Sequence, residues 1–155
     1  MFATDLANPG CLLRLGRIAS TARDEMLKCI RLWTGDDGQS HFQSGAIELD
    51  SGVRGDFLSQ KTDAVSIAFQ QTDSGGSFDW HTAPARQFVI TLSGTLDFVT
   101  REDKHFTLDP STLLLAEDTA GGGHSWRLLD AEPWRRIYVV LAPGADVRFT
   151  AEVQA

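Results

Sequence analysis

The four histidines are the side chains of this sequence that can serve the most kinds of chemistry. A neutral imidazole binds metal ions and also exchanges protons near neutral pH. His41 follows a turn and His105 lies beside a predicted hairpin tip, so we interpret both as solvated structural residues. His81 precedes a proline turn, and His124 follows the glycines 121–123. Taken singly, histidines in such positions are more often surface or core residues than ligands.

Other sequence signals of catalysis are absent. Cys11 and Cys29 form no C-x-x-C pair and lie near no partner histidine, so we interpret them as reduced thiols and not as a nucleophile. Glycines 121–123 lack the Lys-Ser/Thr that follows a phosphate-binding loop, and the sequence contains no G-x-S-x-G elbow.

Composition bounds the class of protein. The length of 155 residues fits one domain, and the formal net charge of −7 argues against nucleic acid or an anionic membrane as partner. Residues 11–19 are apolar, but Arg14 and Arg17 interrupt them, so they are too short and too charged for a signal or membrane segment. We expect a cytoplasmic protein with neither a nucleic-acid nor a membrane partner.

Residues 1–34 are predicted to form an N-terminal extension. Apolar side chains recur at helical spacing between residues 11 and 30, which predicts a short amphipathic helix; the alternative is a loosely ordered tail. A third alternative is that Met26 is the natural start and that the residues before it are a translation extension.

Residues 35–155 show short strands separated by glycine, proline and aspartate turns, which predicts an all-β sandwich or barrel. The strand-like runs are 65–69, 87–93, 95–100, 105–108, 112–116, 125–129 and 135–141.

The run 87–93 is predicted to be buried on both faces, because alternate side chains of a strand point to opposite sides. One face carries Gln87, Val89 and Thr91, and the other is wholly apolar, with Phe88, Ile90 and Leu92. The first face would line a barrel, and the second would meet another sheet or another subunit. Homodimerisation through the apolar face is our hypothesis.

The segment WHTAPARQFVITLSG, residues 80–94, resembles the first motif of the cupin superfamily. In that family a pair of histidines precedes a glutamate, and a glycine closes the hairpin after it. Gly94 stands at the glycine position, Gln87 at the glutamate and His81 at the first histidine. Ala83 stands at the second histidine, so one ligand position is lost.

The segment GGGH, residues 121–124, resembles the second cupin motif, in which a glycine precedes the last histidine ligand. Thr119 stands at that motif's usual proline and Leu128 at its asparagine. The resemblance covers about residues 60–141. The pattern is similar to that of a group of small bacterial cupins that share sequence and not an established reaction.

The resemblance implies a double-stranded β-helix, or jelly-roll barrel, with a divalent metal site inside it. The implied ligands are His81, Gln87 and His124, and the implied ions are Fe, Mn, Ni or Zn, with no other cofactor. An amide oxygen brings no charge to a metal site. We therefore expect a nearby carboxylate to join, from Asp79, Glu117 or Asp118.

The predicted pocket includes five further residues. Val89 and Thr91 share the face of Gln87, Trp126 lies two residues beyond His124, and the pocket also takes in Asp79 and Glu117. Core packing is the alternative for Trp126. Arg86 would point to the opposite face from Gln87 and is predicted to form a surface or interface ion pair.

Two functions remain open. The first is a metal-dependent enzyme that acts on a small organic substrate at open coordination positions. The second is a non-catalytic, metal-free ligand-binding or sensor cupin, in which the same side chains hydrogen-bond a small molecule. The two retained histidines favour the first function, and the lost histidine and glutamate favour the second.

Overall fold

The computed structural model describes residues 26–153, and this part of the chain forms thirteen strands and no helix. The strands are β1 (Met26–Thr34), β2 (Ser40–Glu48), β3 (Asp50–Ser51), β4 (Phe57–Leu58), β5 (Ala64–Thr72), β6 (Ser77–His81), β7 (Gln87–Ser93), β8 (Leu96–Thr100), β9 (His105–Leu108), β10 (Leu113–Glu117), β11 (His124–Leu128), β12 (Trp134–Leu141) and β13 (Phe149–Ala151). The all-β prediction is confirmed, and each of the seven strand-like runs overlaps one of these strands. None of the described residues belongs to a helix that could cross a membrane.

The strands form two main sheets. The larger sheet has the order β13-β2-β1-β10-β7-β12-β5. It is a mixed sheet, because β1 runs parallel to β10 while all other neighbouring strands of the sheet are antiparallel. The smaller sheet is antiparallel, with the order β6-β11-β8-β9. A separate hairpin joins β3 to β4.

The main core lies between the two sheets. Leu32 and Leu114 of the large sheet are buried in one cluster with Phe98 of the small sheet. Two tryptophans close the contact, because the ring centroids of Trp126 in β11 and Trp134 in β12 are 4.8 Å apart. Two sheets that share one apolar interior form a β-sandwich.

A second hydrophobic cluster covers the back of the large sheet, the face turned away from the small sheet. Cys29, Leu115 and Leu141 pack there against Val147, which lies in the C-terminal segment. Strands β1 and β10 are therefore buried on both faces in this region.

The helix predicted over residues 11–30 is wrong where the structure describes it. Residues 26–30 belong to β1, which lies between β2 and β10 and pairs with both. The backbone hydrogen bonds of two neighbouring strands outweigh a weak helical periodicity. Residues 26–34, which fall within the predicted extension, are thus a strand of the large sheet. Residues 1–25, with Cys11 and most of the predicted helix, lie outside the described residues.

Gly94 joins β7 to β8 in a conformation that other residues adopt at a cost. Its φ is +90°, and a Cβ there would lie 3.2 Å from the Cα of Trp134 and 3.3 Å from the Pro133 carbonyl oxygen. Gly94, which closes the hairpin in the segment that resembles the first cupin motif, is therefore required at this position for steric reasons.

Candidate functional site

The two motif histidines meet inside the sandwich. His81 ends β6 and His124 begins β11, the two residues are paired in register, and their ring centroids are 4.4 Å apart. Gly123 permits this approach, because its φ is +69° and a Cβ there would overlap the His81 carbonyl oxygen. Pairing of β6 with β11 thus joins two residues that are distant in sequence.

A buried carboxylate fixes the orientation of His124. The Nδ1 of His124 lies 2.6 Å from Oδ2 of Asp118, which also accepts a hydrogen bond from the hydroxyl of Ser40 at 2.8 Å. Asp118 is fully buried. Because an ionised carboxylate only accepts hydrogen bonds, this contact selects the tautomer of His124 that carries its proton on Nδ1 and its lone pair on Nε2.

His81 is oriented in the same way by the backbone. Its Nδ1 lies 2.7 Å from the carbonyl oxygen of Asp79, which can only accept. Burial lowers the pKa of His81, this hydrogen bond opposes the shift, and the neighbouring His124 lowers the pKa further. His81 therefore stays neutral at neutral pH with its lone pair on Nε2.

The two imidazoles line a cavity of about 470 Å³. Gln87, Val89 and Trp126 line the same cavity, so the structure brings five of the eight predicted site residues together. Its wall is largely apolar and aromatic, which is typical of a site for a small organic molecule. The remaining lining residues include Ala68, Gln70, Thr72, Phe78, Ala83, Phe98, Trp134, Arg136, Tyr138 and Val140.

Three residues predicted for the pocket lie outside the cavity lining. Thr91 is buried beside it and accepts a hydrogen bond from Trp134 Nε1 at 3.2 Å. The carboxylate of Asp79 accepts from its neighbour's backbone N–H at 2.8 Å on an exposed part of β6. Glu117 points to the back of the large sheet, where it pairs with Arg31 at 2.5 Å and with Arg86 at 2.6 Å.

Side-chain alternation explains the difference between neighbouring carboxylates. Glu117 ends β10 on the outer face, and the next residue, Asp118, turns inward behind His124. Asp118, the third candidate carboxylate, is therefore the one at the site. The predicted ion pair of Arg86 is confirmed by its contact with Glu117.

Sequence reasoning missed the four cavity residues of β12, among them Arg136 and Tyr138. Arg136 is 3% exposed, and its guanidinium carbon lies 3.6 Å from the centroid of the Trp134 ring. The Nε of Arg136 donates to the hydroxyl of Tyr138 at 2.7 Å. Alternation along residues 134–140 was the available signal, because it puts Arg136 and Tyr138 on the same face as the buried Trp134.

The surface of the protein carries a second group of potential metal ligands. Asp37, His41 and Glu102 present ligand atoms within 4.8 Å of one another and could hold a metal ion. His41 Nε2 already lies 3.0 Å from both oxygens of Asp37. His105 instead contacts Asp97 at 2.9 Å, in keeping with a structural role.

The cavity residues His81, Gln87, His124 and Arg136 come from four different strands, β6, β7, β11 and β12. Their convergence, and not a relative of known activity, is the evidence for function at this site. The chain matches no protein-family model and no curated protein.

Proposed function

We propose that this protein is a small-molecule-binding cupin whose cavity holds a divalent metal ion on His81 and His124. The observation that carries the proposal is that the two imidazoles are oriented and hydrogen-bonded in the same way. Both direct Nδ1 to a protein oxygen, both keep Nε2 without a hydrogen bond from the described residues, and both line one cavity. This is the arrangement in which histidine usually binds a metal.

Strand order supports the cupin assignment. Strands β5 to β12 alternate between the sheets as β5-β12-β7-β10 and β6-β11-β8-β9. The pairs are nested, so that the first of the eight strands pairs with the last, the second with the seventh, and so on inward. Nested pairing of eight strands over two sheets is the jelly-roll arrangement of cupins. These strands span residues 64–141, close to the range of the motif resemblance.

The donor set fits a first-row divalent ion. Two imidazoles and the amide oxygen of Gln87 suit Fe, Mn, Ni or Zn. The negative charge of Asp118 lies behind His124, where it compensates part of the metal's charge and holds the imidazole in one orientation. When bound, the ion would act as a Lewis acid toward a substrate oxygen.

A second candidate function is metal-free binding of a small molecule. The observation that favours it is that no Asp or Glu lines the cavity within the described residues, while Ala83 occupies the place of a third imidazole. In that function the Nε2 atoms of His81 and His124 accept hydrogen bonds from the ligand.

We also propose a homodimer formed through the outer face of β5, β12 and β7. Three side chains of β5 are exposed there: Val65 (63%), Ile67 (60%) and Phe69 (73%). Strand β12 continues the surface, because Ile137 pairs with both Phe69 and Ile90 across the sheet. A contiguous apolar face on an edge strand needs a cover, and a second copy provides a self-complementary one.

Elemental analysis of protein purified without an affinity tag tests the metal site. We expect about one equivalent of metal, lost in His81→Ala and in His124→Ala and retained in His41→Ala. Loss of the metal in His41→Ala alone would assign the ion to the surface group of Asp37, His41 and Glu102. Protein that stays metal-free after incubation with each divalent ion would contradict the metal and leave the second function.

A further inference from the structure

We propose that the small molecule bound in the cavity carries a carboxylate, and that Arg136 and the hydroxyl of Tyr138 bind this group. The inference rests on the proposed function, because it identifies the chemical class of the cavity's ligand.

Arg136 is a buried cation without a carboxylate partner in the described part of the chain. Four other arginines, Arg31, Arg86, Arg127 and Arg148, each pair with a carboxylate. Arg136 is 3% exposed, yet it forms no such ion pair. Burying a charge without a counter-ion is costly, so an unpaired guanidinium beside a cavity indicates that an anion belongs there.

The remaining hydrogen-bond donors of Arg136 point to the same conclusion. Nε donates to Tyr138, and Nη1 donates to the Thr72 hydroxyl at 3.0 Å and to the Trp134 carbonyl at 3.3 Å. A guanidinium has five N–H donors, so the two on Nη2 remain without a hydrogen bond from the described residues.

Tyr138 adds a second hydrogen-bond donor beside the Arg136 guanidinium. Its hydroxyl oxygen accepts from Nε of Arg136, so its own proton is left for another acceptor. Both residues line the cavity. Charge-assisted hydrogen bonds from a guanidinium, joined by a hydroxyl donor, match the two oxygens of a carboxylate.

The charge of the cavity favours a monoanion over a phosphate. Arg136 is the one Lys or Arg among the described lining residues, and no Asp or Glu accompanies it. At the Arg136 end of the cavity, a carboxylate balances this single charge, whereas a phosphate dianion would leave an excess buried charge there. The aromatic rings of Phe78, Phe98, Trp126 and Trp134 line the same cavity and suit an apolar ligand body.

Strand register separates the anion site from the metal site. On β12, Val140 pairs with Gln87 of β7, and Arg136 pairs with Thr91. Four residues along β7 correspond to about 13 Å between the Cα atoms of Gln87 and Thr91. Arg136 and Gln87, a proposed metal ligand, therefore leave the large sheet at separate points along the cavity wall, which suits an elongated ligand.

The test compares carboxylic acids with their own amides, because each pair differs mainly in charge. Phenylacetate, phenylbutyrate and hexanoate are titrated by calorimetry beside phenylacetamide, phenylbutyramide and hexanamide, with phenyl phosphate as a further probe. We expect at least one carboxylate to bind about tenfold or more tightly than its amide. Arg136→Met should remove this preference. Arg135→Met, which changes the exposed neighbour on the opposite face, should retain it.

Equal binding of acids and amides by the unchanged protein would overturn the inference and leave a cavity that binds neutral molecules. Tighter binding of phenyl phosphate than of every carboxylate, or no carboxylate binding at millimolar concentration, would also overturn it. These measurements do not require the variant to fold. Metal content reports on the proposed function separately, because Arg136→Met should leave the ion on His81 and His124 in place.

Discussion

His124 donates its Nδ1 proton to Asp118 over 2.6 Å, and the Asp118 carboxylate is fully buried. A buried carboxylate that touches an imidazole in this way holds the ring in one tautomer and one orientation. The backbone does the same for His81 through the carbonyl of Asp79. The positions of both Nε2 atoms are therefore set by contacts within the protein.

Replacing Asp118 by asparagine should weaken metal binding about ten- to hundredfold, because the amide no longer fixes the tautomer or supplies charge. The measurement is a competition titration against a chelator, with circular dichroism to verify the fold. Glu117→Gln is the matched control, since Glu117 pairs with Arg31 and Arg86 away from the cavity. Equal affinity in Asp118→Asn and in the unchanged protein would contradict a role for Asp118 at the metal.

Replacing Ala83 by histidine should strengthen metal binding by at least one order of magnitude. Ala83 lines the cavity, and the cupin resemblance places the second histidine ligand at this position. The same competition titration measures the gain. Ala85→His, which adds an imidazole to a nearby residue outside the cavity lining, should show no gain. If Ala83→His behaves like Ala85→His, the geometry of the site differs from that of a cupin metal centre.

The thiol of Cys29 should be inert in the folded protein. Cys29 is 1% exposed, and burial raises the pKa of its thiol to about 12. In a Cys11→Ser variant, Cys29 is the one remaining cysteine. We expect iodoacetamide to leave this variant unmodified at about pH 8 and to modify it fully in guanidinium chloride, as measured by mass spectrometry. Rapid modification without denaturant would show that β1 opens easily.

The contact between His105 and Asp97 should stabilise the fold at acidic to neutral pH and fade in alkali. The hydrogen bond to Asp97 raises the pKa of His105 above its ordinary value of 6.5. A raised pKa means that the folded state holds the proton more tightly, so the contribution is complete below about pH 6.5 and is lost as the pH rises through the folded-state pKa.

Thermal denaturation of His105→Gln across pH tests this contribution. The variant should melt below the unchanged protein at about pH 5.5 and should approach it at about pH 9. Arg127→Gln removes the other partner of Asp97, a permanent cation 3.1 Å away, and its effect should stay constant over this range. A His105→Gln effect that is equally constant would show that the histidine acts by packing and not by charge.

Replacing Phe69 by lysine should produce a monomer. Phe69 is 73% exposed within one chain, so the substitution should leave the fold intact while it charges the proposed interface. Sedimentation velocity at micromolar concentration measures the change from dimer to monomer. Leu58→Lys alters another exposed apolar residue outside the interface and should remain dimeric. An unchanged protein that sediments as a monomer would rule out this interface.

Much of the fold follows from local sequence pattern. Alternation in residues 87–93 correctly predicted that Gln87 and Val89 point inward, because a strand has only two faces. Gly94 and Gly123 each take a positive φ that a side chain would strain. Strand alternation and backbone conformation are both properties of a few consecutive residues.

The errors arise where distant residues decide the outcome. Strand β1 is stabilised by β10, which pairs Cys29 with Leu113, and the helical spacing of residues 11–30 contains no sign of that partner. Glu117 and Asp118 are equivalent as neighbouring acids until the end of β10 sets which one turns inward. The sequence shows Arg136 as one of two adjacent arginines. Alternation puts Arg136 on the face of Trp134, but the pairing of β12 with β5 and β7 is what makes that face the inner one.

Strand β5 has two surfaces with different neighbours. Ala68, Gln70 and Thr72 form part of the cavity wall, while Ile67 and Phe69 project from the opposite side. In the described chain this strand is held by β12 alone. If the proposed ligand and the proposed second subunit both bind, they contact opposite faces of this one strand, and any effect of either on the affinity for the other is reciprocal.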